Sequence, residues 1–182
     1  MDDNMNDRPI TRRPTFRIAV IALAILGLDQ FTKQLVLRHL VLGDRRVVIS
    51  GFFDLVHWMN TGAAWSMFTG NNLLLAFVAL LALCVLFVSR HYFDAHTRVG
   101  QMALGLIFGG ILGNLIDRIF LNHVTDFLYF YLQRRGGNVL DFPAFNIADS
   151  AICVGVGLIF IMSWRNENAG AKSGRPCPPA PN

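Results

Sequence analysis

The chain is poor in charged residues for its length of 182. Lys and Arg number 16 and Asp and Glu number 12, so 15% of the chain is charged, whereas soluble domains carry roughly 25%. The hydrophobic content is 53%. These values exclude a disordered chain and a nucleic-acid binder that depends on charge, and they argue against an ordinary soluble enzyme.

Cysteines and hydrolase motifs are also scarce. Cys84, Cys153 and Cys177 are odd in number and widely spaced, so they form neither a disulfide framework nor a metal-binding pattern. The chain has no H-E-x-x-H and no G-x-S-x-G motif, and its five histidines are scattered. We therefore expect no metal and no cofactor, and a zinc or serine mechanism has little support.

Long apolar stretches are what the chain does have. A spanning helix needs about 20 mostly apolar residues, and four stretches qualify, at about 16–37, 73–88, 99–120 and 147–164. The second and fourth are near the short limit, so we expect flanking residues to lengthen them. The sequence predicts an all-α membrane protein with four transmembrane helices.

The basic residues before the first span indicate its orientation. Arg8, Arg12, Arg13 and Arg17 resemble the start of a signal peptide, but the only A-x-A of the span lies inside the apolar run, so we interpret it as uncleaved. Four spans put both termini on one side, and the arginine cluster predicts that this side is the cytoplasm. We expect disordered cytoplasmic tails at 1–15 and 165–182.

Two outer segments, 38–72 and 121–146, join the spans. The first contains VVISGFFDLVHW, which is rich in β-branched and aromatic residues and predicts short strands on the membrane surface. The second is predicted to be a loop or helix, with turns at Gly136-Gly137 and at Pro143. Its aromatic residues 129–131 are typical of a lipid–water interface.

Charged residues occur inside two spans, where charge is costly unless it is paired or functional. Asp29 and Lys33 share a helix face at i,i+4 spacing and can form a structural ion pair. Asn114, Asp117 and Arg118 also share a face. We expect Asp117 and Arg118 to neutralise each other and Asn114 to hydrogen-bond something that enters the bundle.

Three glycines in the third span, Gly105, Gly109 and Gly113, repeat every four residues. Small residues at this spacing let two helix backbones approach closely in lipid. The repeat predicts helix packing, within this chain or between two copies.

Two acids, Asp126 and Asp149, lie at the outer ends of the third and fourth spans. They are either unrelated interfacial carboxylates or a pair. In a close pair one proton is shared, because both groups cannot ionise cheaply. The ionised partner can then take a proton from water while the protonated partner polarises a scissile carbonyl, which hydrolyses an amide without a metal.

Five sequence blocks carry a resemblance to a known family. In order along the chain they are LDQFTK at 28–33, NTGAAWS at 60–66, GNLIDR at 113–118, VTDF at 124–127 and FNIADS at 145–150. The sequence resembles bacterial lipoprotein signal peptidase, or signal peptidase II, over about 16–164. Trp65 stands where many members have Phe.

The resemblance implies an aspartic endopeptidase of the bacterial inner membrane, with its site near the periplasmic face and the small sheet resting on that face. It implies removal of the signal peptide from a prolipoprotein just before the diacylglyceryl-modified cysteine, and inhibition by the cyclic peptide antibiotic globomycin. Expected partners are therefore prolipoprotein, membrane lipid and globomycin, and no nucleic acid.

The matching blocks also imply residue roles. Asp126 and Asp149 become the catalytic pair. The residues expected to bind substrate or shape the site are Asp29, Lys33, Asn60, Gly62, Gly113, Asn114, Arg118, Asn146 and Ala148. We expect the three asparagines to hydrogen-bond substrate backbone, Gly62 with Ala63 and Ala64 to let it approach, and a loop at 134–137 to cover the site.

Two other functional classes fit a polar membrane protein. A transporter or channel would use Asp29, Asp117 and Arg118 as a polar path, and a scaffold would need no chemistry. A path needs polar residues at several depths, but here they cluster in the outer halves of the spans. This distribution favours a site open to one side.

Overall fold

The computed structural model describes residues 13–62, 70–93, 95–134 and 138–172. Its helices are α1 (Arg13–His39), α2 (Asn72–Ser89), α3 (Arg98–Phe120) and α4 (Ile147–Lys172), and a short 3-10 turn at Arg90–Tyr92 follows α2. Four helices are long and apolar enough to cross a membrane. The four predicted spans are therefore confirmed within the described residues.

The helix ends differ from the predicted bounds. Helix α1 begins at Arg13 and ends at His39, and α4 continues to Lys172. Residues 165–172, which we expected in a disordered tail, are helical because good helix formers such as Glu and Ala continue the segment after the apolar run. The predicted tails at 1–12 and 173–182 lie outside the described residues.

A four-stranded antiparallel sheet accompanies the helices. Its strands are β1 (Arg45–Ile49), β2 (Phe53–Asn60), β3 (Val124–Gln133) and β4 (Val139–Asp141), in the order β1-β2-β3-β4. The strands predicted in 38–72 are confirmed. The predicted loop or helix between spans three and four is wrong, because the run VTDFLYFYLQ forms β3; its β-branched and aromatic residues favour a strand.

Helix α3 lies between α1 and α4. A Cβ on Gly109 would come within 2.6 Å of the Ala22 carbonyl oxygen of α1, and one on Gly110 within 2.5 Å of the Ala148 carbonyl oxygen of α4. Only glycine permits backbones this close. The glycine repeat therefore packs α3 against α1 within the chain, and Gly110 adds the contact with α4.

The sheet is attached to one end of the helix bundle. Val36 and Leu40, near the end of α1, form a buried cluster with Phe127 of β3, and Ile147 at the start of α4 packs against it. The burial of these apolar side chains holds the sheet beside the C-terminal end of α1 and the N-terminal end of α4. This attachment brings strand β3 next to the first turn of α4.

Candidate active site

Strand pairing positions Asp126. In the β2–β3 ladder Trp58 pairs with Asp126 and Asn60 pairs with Val124. Directly paired residues share a face of the sheet, as do residues two apart on one strand, so Asn60 and Asp126 lie on the same face. The Asn60 Nδ2 donates to Asp126 Oδ2 at 2.8 Å. A register slip of one residue would turn the carboxylate to the other face.

A helix cap positions Asp149. Asn146 precedes the first residue of α4, and its Oδ1 accepts the backbone N–H of Asp149 at 3.0 Å. In return, Asp149 Oδ2 accepts the backbone N–H of Asn146 at 3.2 Å. This reciprocal pair is a capping box made from Asn and Asp. It holds Asp149 in the first turn, where the helix dipole favours an anion.

Asn146 also connects the two carboxylates. Its Nδ2 donates to Asp126 Oδ1 at 2.9 Å, so one side chain contacts both Asp126 and the backbone of Asp149. Asn146 is fully buried. The fold therefore brings together two acids that are 23 residues apart in the sequence.

Both carboxylates face one cavity. Its volume is about 720 Å³. One wall carries Asp126, Asp149, Asn60, Asn114 and Arg118. The remaining lining is mostly apolar and comprises Trp58, Met59, Thr61, Gly62, Val124, Phe142, Pro143, Ala144, Phe145, Ser150, Ile152 and Cys153. The cavity combines a charged wall with a much larger apolar surface.

The surroundings of Asp126 favour a proton there. Burial and then the charge of Asp149 raise the pKa of Asp126 to about 7, against the hydrogen bonds from Asn60 and Asn146 that stabilise its anion. A carboxyl group with this pKa is about half protonated at neutral pH, whereas an ordinary aspartate is almost fully ionised there. Two neighbouring carboxyl groups can share one proton, as the acid pair of aspartic proteases does.

Asn114 links Asp149 to a buried cation. Its Nδ2 donates to Asp149 Oδ1 at 2.7 Å, and its Oδ1 accepts from Lys33 Nζ at 3.0 Å. Because Lys33 can only donate, it orients the amide so that the NH₂ group points to Asp149. The side-chain NH₂ groups of all three asparagines, Asn60, Asn114 and Asn146, thus donate hydrogen bonds to the two carboxylates. We had expected them to hydrogen-bond the substrate backbone.

Lys33 lies at the centre of a buried ion cluster. Its Nζ is 2.8 Å from Asp29 Oδ2 and 2.9 Å from Asp117 Oδ2. The predicted Asp29–Lys33 pair is confirmed. The expected pairing of Asp117 with Arg118 is wrong, because adjacent helical residues point in different directions. Arg118 instead donates to the Gly62 carbonyl at 2.9 Å and to Asn72 Oδ1 at 3.3 Å.

Close packing surrounds Asp29. A Cβ on Gly113 would lie 2.6 Å from Asp29 Oδ2, and the backbone N–H of Ala148 donates to Asp29 Oδ1 at 2.9 Å. Asp29, Lys33, Gly113 and Ala148 therefore lie behind the cavity wall, in contact with one another or with the residues that form the wall. Small residues are needed there because the carboxylate takes the space that a side chain would occupy.

Some site residues were not predicted from the sequence. Gln30 donates to Asp117 Oδ1 at 2.9 Å and to the Gly113 carbonyl at 3.2 Å; its signal was a second polar residue beside Asp29 in an apolar run. The aromatic wall formed by Trp58 and Phe145 had no specific signal, since aromatic residues in outer segments suit any membrane interface. Ala63, Ala64 and residues 135–137 of the expected covering loop lie outside the described residues.

Comparisons with known proteins identify a family. The family model for signal peptidase (SPase) II matches residues 21–165. A lipoprotein signal peptidase of Halalkalibacterium halodurans is 37% identical, over 84% of this chain and 95% of the relative. One from Azoarcus sp. is 39% identical, over 91% of this chain and 93% of the relative.

A solved structure has a similar fold. It is a bacterial membrane enzyme that superimposes with a TM-score of 0.69 at 31% identity, over 90% of this chain and 94% of that one. The family model, the relatives and the four apolar helices together lead to one conclusion: the chain belongs to the signal peptidase II family and is a multi-pass integral membrane protein.

Proposed function

We propose that this protein is an aspartic endopeptidase that removes the signal peptide from diacylglyceryl-modified prolipoproteins, just before the lipidated cysteine. The observation that carries the proposal is the pair of buried carboxylates, Asp126 and Asp149, held through Asn146 on the wall of one cavity. Membership of a signal peptidase family supplies the reaction class. The geometry supports the choice of these two residues.

The two acids have different roles in the proposed reaction. Asp126 carries the shared proton, in line with its pKa of about 7. Asp149 is the base, because Asn114, the Asn146 N–H and the helix N-terminus all stabilise an anion there. Asp149 takes a proton from water as the water oxygen adds to the scissile carbonyl carbon, and Asp126 gives its proton to the carbonyl oxygen.

The second half of the reaction restores both acids. The tetrahedral diol breaks its C–N bond, and Asp149 gives its proton to the leaving nitrogen. The diol hydroxyl returns its proton to Asp126 as the new carboxyl group forms. No metal or covalent intermediate is required, and the pair is ready for another cycle.

The cavity suits a substrate that is partly lipid. Its apolar lining, including Trp58, Phe142 and Ile152, can accept acyl chains or an apolar signal peptide. The acids lie where α3 ends and α4 begins, beside the sheet, so cleavage would occur near one membrane face. We assign this face to the periplasm and both termini to the cytoplasm of an inner-membrane protein, since the arginines before α1 favour that orientation.

The test is cleavage of a verified diacylglyceryl-modified prolipoprotein by the purified protein in detergent. Asp126→Asn and Asp149→Asn should each lose at least about a thousandfold in kcat while remaining folded, because each removes one half of the acid–base pair. Globomycin should inhibit the native protein. The same prolipoprotein without its lipid should be a poor substrate.

A matched control is Asp141→Asn. Asp141 is exposed in β4 and accepts a hydrogen bond from Tyr129, but it does not line the cavity. Its replacement should leave turnover within about twofold of native. Native turnover in either Asp126→Asn or Asp149→Asn would refute the catalytic assignment.

A further inference from the structure

A second cavity lies at the opposite end of the bundle from the two acids. It is open to the surface, has a volume of about 450 Å³ and lies between the N-terminal parts of α1 and α3. Arg17 on α1 and Arg98 on α3 line it. Arg17 comes 16 residues before Lys33, and Arg98 comes 16 residues before Asn114. At 1.5 Å per residue this separation is roughly 24 Å, most of the thickness of a bilayer core.

The charge of this cavity is unbalanced. None of the described residues that line it is acidic, and neither Arg17 nor Arg98 forms a salt bridge within the described part of the chain. Both side chains are exposed. Guanidinium groups bind phosphate oxygens in a bidentate manner, so two of them at one cavity favour a phosphate-bearing anion.

A buried polar side chain adds a second requirement. Gln101 lines the cavity and is 4% exposed. Its Nε2 donates to the His96 carbonyl at 3.4 Å, but its Oε1 has no hydrogen-bond partner among the described residues. A buried acceptor left unpaired is costly, so rotation of the Gln101 side chain towards a ligand that carries an O–H donor would be favoured here.

The rest of the lining is apolar. Phe16, Val20, Ile21 and Met102 complete the cavity, on the membrane-spanning parts of the two helices. An anion dissolved in water gains nothing from these side chains, whereas the first carbons of an acyl chain would be buried against them. Basic pockets between spanning helices on the cytoplasmic side are typical binding sites for anionic lipid headgroups.

We propose that this cavity binds an anionic phospholipid whose headgroup carries a free hydroxyl group. Arg17 and Arg98 hold the phosphodiester, and the apolar residues contact the acyl stem. The Gln101 side chain turns so that its Oε1 accepts a hydrogen bond from the headgroup hydroxyl. A headgroup with an ammonium group would bring a cation towards two guanidinium groups, so it binds less tightly. The site is independent of the peptidase proposal, since it shares no residue with the first cavity.

The experiment is a titration of the full-length protein in neutral detergent, with bound lipid counted by native mass spectrometry. The probes are short-chain phosphatidylglycerol and phosphatidylcholine. The native protein should prefer phosphatidylglycerol. Arg17→Gln and Arg98→Gln should each weaken its binding roughly fivefold, and the double variant about thirtyfold.

Matched variants separate the parts of the proposal. Arg90 lies at the same end of the bundle but outside the cavity, where it donates to the Phe87 carbonyl, so Arg90→Gln should bind as the native protein does. Gln101→Met should remove the preference for phosphatidylglycerol over phosphatidylmethanol, which lacks the headgroup hydroxyl. Retained prolipoprotein cleavage would show that each variant is folded.

Three results would overturn the proposal. Native affinity in the Arg17/Arg98 double variant would show that the arginines bind no headgroup. Displacement of the lipid by inorganic phosphate at equal concentration would identify a site for a soluble anion instead. If Gln101→Met still preferred phosphatidylglycerol to phosphatidylmethanol, the proposed hydrogen bond between Gln101 and the headgroup hydroxyl would be refuted.

Discussion

Replacement of Lys33 by Met tests both the stability and the chemistry of the polar interior. Lys33 is 2% exposed, and its Nζ contacts Asp29 at 2.8 Å, Asp117 at 2.9 Å and the Asn114 Oδ1 at 3.0 Å. Methionine has a similar volume, so the change removes the charge with little loss of packing. Two buried carboxylates would then face each other without a cation.

The structure sets the size of the effect. Removal of one partner from a buried ion pair costs about 3–5 kcal/mol. Here the acids keep neutral donors: Asp29 accepts from the Ala148 N–H at 2.9 Å, and Asp117 accepts from Gln30 at 2.9 Å. We therefore expect a loss near the lower bound, about 3 kcal/mol, which corresponds to a Tm decrease of about 6–12 °C for a chain of this length.

The same change should slow catalysis through Asn114. Without Lys33 the Asn114 amide can rotate and present its oxygen to Asp149, which removes a hydrogen bond to this proposed base. A bond to a charged group contributes about 1.5–3 kcal/mol, so kcat should fall by at least about tenfold. The KM should change little, because Lys33 does not line the cavity.

Thermal unfolding in detergent and steady-state cleavage measure the two effects. Arg38→Met is the matched control, since Arg38 is exposed on the same helix and its loss should cost under about 0.5 kcal/mol. The double variant Lys33→Met/Asp117→Asn should regain about 1–2 kcal/mol of the loss, because one unpaired charge is removed. A Tm for Lys33→Met within about 2 °C of native would refute the charge argument, and an unchanged kcat would refute the link through Asn114.

Three further predictions concern the pH dependence of cleavage, the packing of the helices and the lining of the first cavity. The pKa of Asp126 is raised to about 7, so the proton that the two acids share is held below that pH and lost above it. We therefore expect kcat/KM to fall as the pH rises through about 7. A pH profile that stays flat to high pH would contradict this. A Cβ on Gly110 would lie 2.5 Å from a backbone carbonyl oxygen of α4, whereas one on Gly157 would meet nothing within 4 Å. Thermal unfolding should therefore show that Gly110→Ala lowers the free energy of unfolding by about 1–3 kcal/mol. Gly157→Ala should not destabilise the protein. Cys153 lines the first cavity and Cys84 does not, so Cys153→Phe should lower kcat/KM in the cleavage assay and Cys84→Phe should not.

The sequence was sufficient for the helices and for selecting the two acids that line one cavity. Spans of about 20 apolar residues are visible in any single helix, because a helix satisfies its own backbone hydrogen bonds. The i,i+4 pair of Asp29 and Lys33 and the glycine repeat follow from helical periodicity alone. The motif blocks identified Asp126 and Asp149, although their catalytic roles stay a prediction.

Strand β3 shows where local reasoning failed. The residues Tyr129, Phe130 and Tyr131 suit an interfacial loop and a strand equally well. The choice depended on β2, which pairs with this segment across more than 60 residues of chain. Likewise, Asp117 and Arg118 were expected to pair with each other, but their partners lie on other parts of the chain.

The sequence by itself therefore determined the four spans, the helix faces that carry charge or glycine, and the identities of the two acids, Asp126 and Asp149. These features depend on composition, on short motifs and on periodicity within one segment. Only the tertiary structure decided which groups meet. The β2–β3 register brings Asn60 to Asp126, the packing of α3 brings Asn114 between Lys33 and Asp149, and the cap of α4 joins both acids through Asn146. Hydrogen bonds act over about 3 Å, and no spacing along the chain specifies such a distance between separate elements.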